Sequence, residues 1–291
     1  MLDEKVIVQI VSEVIKRLAY ADTLQNSTCL EHSEAEDSIS ESDKTIHTLD
    51  DPADLETLLR MKASTTARIG VGRAGVRLKT STMLELRADH AKARDAVFLD
   101  VDMKLLNELG LFSVQTKCSD KKEFLTRPDL GRQLDDDAIA IIKQKCTPTP
   151  DVEVYVSDGL SSKAIEANIR NILPVLTEGL KAKGINVGTP FFVRFGRVPA
   201  MDRISEVLGS KVTCVLIGER PGLGSAESMS AYICYNARVG MPEARRTVVS
   251  NIHKNGIFAV EAGAYITDLI CKILESKASG VDLQSMEGRT T

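Results

Sequence analysis

The 291-residue sequence contains no tryptophan, and aromatic residues make up only 4% of it. Surfaces that stack single-stranded nucleic acid interleave aromatic rings with cations, so this scarcity weighs against such a partner. A formal net charge of -4 points the same way, because phosphate backbones call for a basic surface. No apolar stretch approaches a membrane span, and the N-terminus shows no basic-then-apolar signal, so a cytoplasmic protein with no membrane partner is expected. The cysteines, Cys29, Cys118, Cys146, Cys214, Cys234 and Cys271, form no C-x-x-C pair and no zinc-ligand spacing with the four histidines. Several sit inside apolar runs, the pattern of reduced core residues. G-x-x-x-x-G-K-[ST], H-E-x-x-H and G-x-S-x-G are also missing, which excludes a Walker-type nucleotide enzyme and leaves no hydrolase or zinc-protease motif.

What is present is 43% hydrophobic and 27% charged, enough for one large globular domain or two smaller ones. Residues 4–19 place Ile7, Ile10, Val11, Val14, Ile15 and Leu18 on one helical face, so residues 1–20 read as an amphipathic helix. Residues 21–56 are acidic and serine-rich, with too little apolar surface to offset their ordering entropy, and read as a flexible linker. A helix tethered by such a linker suits docking on a partner. Residues 57–148 read as a helical segment that opens strongly basic. Arg60, Lys62, Arg68, Arg73, Arg77, Lys79, Arg87, Lys92 and Arg94 stand against Glu85 and Asp89, with no aromatic between them. A solvated face is the ordinary fate of such charges, and contact with a phosphate or an acidic partner is the sharper reading. Further on, Asp135, Asp136 and Asp137 open a helix, where acids complement the dipole better than they would share a metal.

Residues 149–291 alternate strand and helix. "VEVYVS" (152–157) is a strand, followed by a helix carrying Ile165, Ile169, Ile172 and Leu173 that Pro174 should kink or restart. "PFFVRF" (190–195) is a second strand, and "MDRISEVLG" is a short helix that Gly209 would end. "VTCVLIG" (212–218) does not alternate and so should be buried on both faces. "SAYICYN" (230–236) is a fourth strand, and a closing helix runs over about 260–277 with Gly280 as its stop. The order predicts an α/β fold: a Rossmann-like, mostly parallel sheet flanked by helices, preceded by a helical segment and a flexible N-terminal tail. Ligands of such sheets sit outside the carboxyl ends of the strands. Three glycine-bearing loops leave there: "SDGLSS", "GRVPAMD" and "GERPGLGSAES". "GVGRAG" (70–75) matches G-x-G-x-x-G only literally, since neither a strand before it nor a helix after it fits. His253 has no nucleophile motif tied to it and reads as structural. From residues alone the reading ends at an α/β domain with a ligand rim and no catalytic residue assigned.

Several blocks in order and at consistent spacing resemble the ethanolamine ammonia-lyase light-chain family: "FLTRPDLGRQL", "VSDGLSSKAIEANI", "FFVRFGRVPAMD", "IGERPGLGSAESMSAYICY", "EARRTVVSNIHKNG" and the closing "VEAGAYITDLICKILESKASGVDL". "GRAG" and "LRADHA" match too, and the resemblance runs from about Ala67 to Leu283. It implies an adenosylcobalamin-dependent lyase that converts ethanolamine to acetaldehyde and ammonia. The substrate chemistry would belong to a separate large subunit, with the light chain as the other wall of the cofactor site. The family's glutamate of G-E-R-P-G-L and valine of G-R-V contact the cofactor, which implies Glu219 and Val198 here. Some relatives add a cysteine just before S-N-I-H. Val248 takes that place, and the contact is not carried over. No D-x-H-x-x-G motif exists, since His90 follows Asp89 directly, so the nucleotide base is expected to stay on cobalt. The resemblance further implies a hetero-oligomer housed in a bacterial microcompartment, with the shell as a dock for the N-terminal helix. Two other readings stay open: a doubly wound enzyme binding a nucleotide or phosphosugar on the same rim, and a non-catalytic assembly protein.

Overall fold

The computed structural model describes residues 49–65 and 67–287. The helix read over residues 1–20, and the linker up to residue 48, lie outside the described residues. Before residue 71 the described chain holds one helix, α1 (Leu55–Ala63). The Asp54 side chain caps it by accepting from the Thr57 N–H at 2.9 Å.

From Val71 on, a two-stranded hairpin comes first: β1 (Arg73–Ala74) pairs antiparallel with β2 (Arg77–Leu78), and Gly75 takes φ +64° at the turn. The G-x-G-x-x-G look-alike therefore ends in a hairpin rather than a strand-to-helix turn. The helices and strands that follow are α2 (Thr80–Phe98), α3 (Met103–Glu108), β3 (Phe112–Gln115), α4 (Lys121–Thr126) and α5 (Asp136–Lys145). After them come β4 (Val152–Ser157), α6 (Ser162–Ala182), β5 (Phe191–Arg194), α7 (Ala200–Leu208), β6 (Val212–Gly218), β7 (Met229–Tyr235), β8 (Thr247–Ile252), α8 (Ala259–Ser276) and α9 (Gly280–Glu287).

The six-stranded sheet has the order β3-β5-β4-β6-β7-β8. Its first four strands are parallel, while β7 runs antiparallel to both β6 and β8. The sheet is thus mixed, and the expectation of mostly parallel pairing holds for its β3–β6 half. The reason is local: no helix separates β6 from β7, and without a crossover a following strand can only return antiparallel. The segment read as helical also contributes a strand, β3, which sits at the sheet edge beside β5.

Alternation along the strands divides the core between two faces. Val152, Val154 and Val156 of β4 join Cys214 and Leu216 of β6 under α6 and α8. Tyr155 of β4 and Val215 of β6 face the other way, onto α5 and α7. α6 presents Ile165, Ile169, Ile172, Leu176 and Leu180 to the first core, all with no exposed surface. Full burial of each is worth about 1.5–3 kcal/mol. α6 continues through Pro174 rather than restarting there. Gly209 ends α7 with φ +68° and α8 closes at Lys277, both as expected, although the left-handed turn that stops α8 falls on Lys277 itself (φ +53°) and not on Gly280. Asp135 caps α5 by accepting from the Ala138 N–H at 2.6 Å, with Asp136 and Asp137 in its first turn. Among the described residues no helix is long and apolar enough to cross a membrane.

Candidate functional site

Because β4, β5 and β6 are parallel, the three loops singled out in the sequence leave from one rim. The antiparallel strands return to it: Gly218 at the end of β6 pairs with Met229 at the start of β7, and Met229 pairs with Ile252 at the end of β8. Residues from five strands therefore meet along this edge.

The loop between β6 and β7 is fixed at base, middle and tip. The Glu219 N–H donates to Ser228 O at 3.0 Å, and the Gly222 N–H donates to Ser225 O at 3.0 Å. Ser161 Oγ, which also caps α6, donates to Ala226 O at 2.5 Å, and Asn168 Nδ2 donates to Glu227 O at 2.8 Å. The loop after β4 presses directly on this base. The Leu160 N–H donates to Gly218 O at 3.1 Å, and a side chain at Gly218 would collide with the carbonyls of Asp158 and Ser161. Only glycine allows backbones to approach so closely.

Glu219 is half-buried on that frame. Its Oε2 accepts from Ser228 Oγ at 2.6 Å, and its Oε1 accepts from Ser230 Oγ and from the Asn251 N–H, the latter at 3.0 Å. Burial pushes its pKa up, but the bonds from Ser228, Ser230 and Asn251, with His253 beside it, more than offset that and hold it below the usual glutamate value. Glu219 is thus a carboxylate at neutral pH. It has about four acceptor positions, three of them filled from its own chain.

Val198 lies on the neighbouring loop, after β5, half-buried against the α5–α7 core. The conformation of this loop is set by Asp158, the first residue after β4. Its Oδ1 accepts the Phe195 N–H at 2.8 Å, and its Oδ2 pairs with Lys121 Nζ at 2.9 Å. Phe195 is held at φ +59°, a region that non-glycine residues rarely adopt. Burial raises the Asp158 pKa, opposed by Lys121 and the loop N–H groups. Next to it, Arg197 is bound at both ends: its N–H donates to Gly131 O at 2.8 Å, and its Nη2 donates to Phe124 O at 2.9 Å. Its guanidinium lies over the Phe124 ring at 4.2 Å. Burial, and then repulsion from Arg132 and Arg220, lowers the Arg197 pKa.

The structure therefore brings Glu219 and Val198 to one rim, joined through the 157–161 segment. Val248 is exposed on β8 opposite Tyr232, and it is Asn251, three residues later, that reaches Glu219. His253 is buried and satisfied, with Nε2 and Asn251 Oδ1 at 2.8 Å, which agrees with its structural reading. A separate cleft of about 390 Å³ lies nearer the β3 edge, beside Asp100, Asp135, Asp137 and Arg194, and neither Glu219 nor Val198 lines it. The five cysteines among the described residues are free. Burial pushes the Cys146 and Cys214 thiols up to about 12, so both behave as inert core residues.

Sequence reasoning did not find Ser228, Ser230, Asn251, Asp158 or Lys121. Two signals for them were present. Ser228 and Ser230 are two apart at a strand start and so share a face, and Asp158 is an acid at the carboxyl end of a strand, where ligands of such sheets gather.

Comparison with known proteins supplies the family context. The pattern of the ethanolamine ammonia-lyase light chain (EutC) matches residues 55–284. An ethanolamine ammonia-lyase small subunit from Clostridium tetani is 61% identical over 236 residues, covering 81% of this chain and 80% of that protein. The Clostridium perfringens small subunit is 52% identical over 277 residues, covering 95% and 92%. The Fusobacterium nucleatum small subunit is 50% identical over 294 residues, covering 98% and 100%.

Proposed function

Given that the chain belongs to the ethanolamine ammonia-lyase light-chain family, we propose that it is the small subunit of an adenosylcobalamin-dependent lyase and forms one wall of the cofactor site. A small subunit implies a large one, and the conversion of ethanolamine to acetaldehyde and ammonia would take place there. The light chain would be inactive alone. Housing in a bacterial microcompartment, with residues 1–20 as the shell-docking helix, belongs to the same reading.

One observation carries the cofactor assignment. Glu219 keeps its charge at the rim, and three of its four acceptor positions are filled, leaving one for a donor from outside. A corrin ring edged with carboxamide arms offers such N–H donors. Val198 adds an apolar contact beside it, on a loop that Asp158 and Lys121 hold in place before any ligand arrives. These residues fit the group. When bound, adenosylcobalamin supplies radical chemistry through its cobalt–carbon bond, and the protein supplies placement and electrostatics. The roles of this chain are to accept an amide N–H at Glu219, to exclude water at Val198 and to keep the rim rigid.

The purified chain is expected to turn over no ethanolamine, and to yield acetaldehyde once mixed with a large subunit and adenosylcobalamin. Turnover by the chain alone, or tight binding of NAD or ATP by it, would overturn the assignment.

A further inference from the structure

α2 buries only Thr82 and Ala96. Along one stripe it carries Arg87, His90 and Arg94, spaced by three and four positions, all exposed. Among the described residues Arg87 and His90 have neither an ion pair nor a hydrogen bond, and Arg94 only stacks on the Phe98 ring at 5.7 Å. Between them lies an apolar floor of Met83, Leu86 and Phe98, and the opposite wall is Leu223. Together they enclose a groove of about 830 Å³ in which Asp95 is the lone acid. Leu223 is the tip of the loop whose base holds Glu219. Leu223 is four positions on from Glu219, so the wall of the groove lies within about 14 Å of Glu219 even if that stretch were fully extended. One wall of the groove and the base of the rim thus belong to the same loop.

Cations over an apolar floor call for a ligand that is anionic in one place and apolar around it. Cobalamin has one such part: the phosphodiester that joins the corrin to its lower base, flanked by apolar ring edges. We propose that the α2–Leu223 groove receives this nucleotide tail, with Arg87 and Arg94 on the phosphate. The proposal rests on the cofactor reading of Glu219 and Val198, and it assigns to the basic helix a ligand that neither residue addresses.

The test uses the full chain assembled with its large subunit, the double variant Arg87→Gln/Arg94→Gln, and two probes read by absorbance titration: cyanocobalamin, and dicyanocobinamide, which lacks the phosphodiester and the base. Both arginines are exposed, so the fold is expected to survive, and an unchanged Tm verifies it. The variant is expected to bind cyanocobalamin about tenfold or more weakly, the loss of charge-assisted hydrogen bonds, while its affinity for dicyanocobinamide stays at the wild-type value. An equal loss for both probes, or no loss for either, overturns the proposal. Unchanged cyanocobalamin binding with weakened subunit association overturns it too, and makes the groove a subunit contact. If the wild-type complex binds neither probe, the cofactor reading itself fails and this inference falls with it. If it binds both and only the variant result is negative, the reading stands without the groove.

Discussion

Two buried or half-buried glutamates show how surroundings decide what a carboxyl group does. At Glu219 three donors stabilise the charge. Replacing it with glutamine can keep the Asn251 and Ser230 bonds on the amide oxygen, while the new N–H₂ donates to Ser228, whose hydroxyl turns to accept. The fold should therefore tolerate Glu219→Gln, but the spare acceptor position is lost. Cobalamin affinity of the assembled enzyme is expected to fall about tenfold, the scale of one charge-assisted bond, with little change in Tm. Unchanged affinity would remove Glu219 from the site.

Glu153 is the opposite case. It is fully buried on β4, both carboxyl oxygens lack a hydrogen-bond partner among the described residues, and burial raises its pKa from 4.5 to about 9. A carboxyl whose folded value is raised contributes its full stability below pH 4.5 and loses it progressively as pH rises towards about 9. Keeping it protonated costs about 1.4 kcal/mol per pH unit in that window, on the order of 3 kcal/mol by pH 7. Glu153→Gln removes this cost. Denaturant unfolding at pH 5.5, 6.5 and 7.5 should show the variant gaining on the wild type as pH rises. A difference that does not change with pH would show that Glu153 is ionised or solvated in the native protein.

At the scale of elements, the rim depends on two loops that touch through backbone. Gly159 has φ +52°, and a side chain there would strike Gly218 O and the Ile217 side chain. Gly159→Ala therefore combines a strained backbone with a collision. It is expected to cost roughly 1–3 kcal/mol, read as a lower Tm, because the two loops must separate. A variant with wild-type Tm would mean that the loops are not pressed together. The main elements were legible in the sequence wherever a pattern was long: the unbroken apolar run of β6, and the isoleucine spacing of α6. β3 was not, because "FSVQ" is four residues with only one of them fully buried, too short a stretch for periodicity to register. The end of α8 was legible to within a residue, but the residue that stops it was not, because a lysine rather than the nearby glycine takes the left-handed turn. Glu219 and Val198 were legible through the resemblance and the strand-end rule. The Ser228, Ser230 and Asn251 donors were not, because their bonds cross from one strand to another and leave no mark in the local sequence.

For the whole molecule, the β1–β2 hairpin presents Val76 at 96% exposure between Arg73 and Arg77, an apolar tip flanked by two cations. The charges are what could meet an acidic face of the large subunit, since a lone apolar tip is ordinary on a surface. Arg73→Glu together with Arg77→Glu is expected to reduce co-purification with the large subunit, most strongly at low salt, where exposed charges are least screened. Co-purification equal to wild type at every salt concentration would leave the hairpin as plain surface.

The strand order also dictates a sequence of events in time. β3 has one neighbour in the sheet, β5, and its Phe112 ring stacks on Phe191 at 5.3 Å. As the chain emerges from the ribosome, residues 112–115 have no edge to pair with until residues 191–194 follow, long after α4, α5, β4 and α6 have been made. Pairing across so long a stretch is slow, because loop closure must precede any gain from it. In refolding experiments, amide protons of β3 should therefore become protected later than those of β4 and β6. Through that interval Phe112 and Val114 wait in water. A chain released early, or one crowded by its copies, would be most prone to aggregate there.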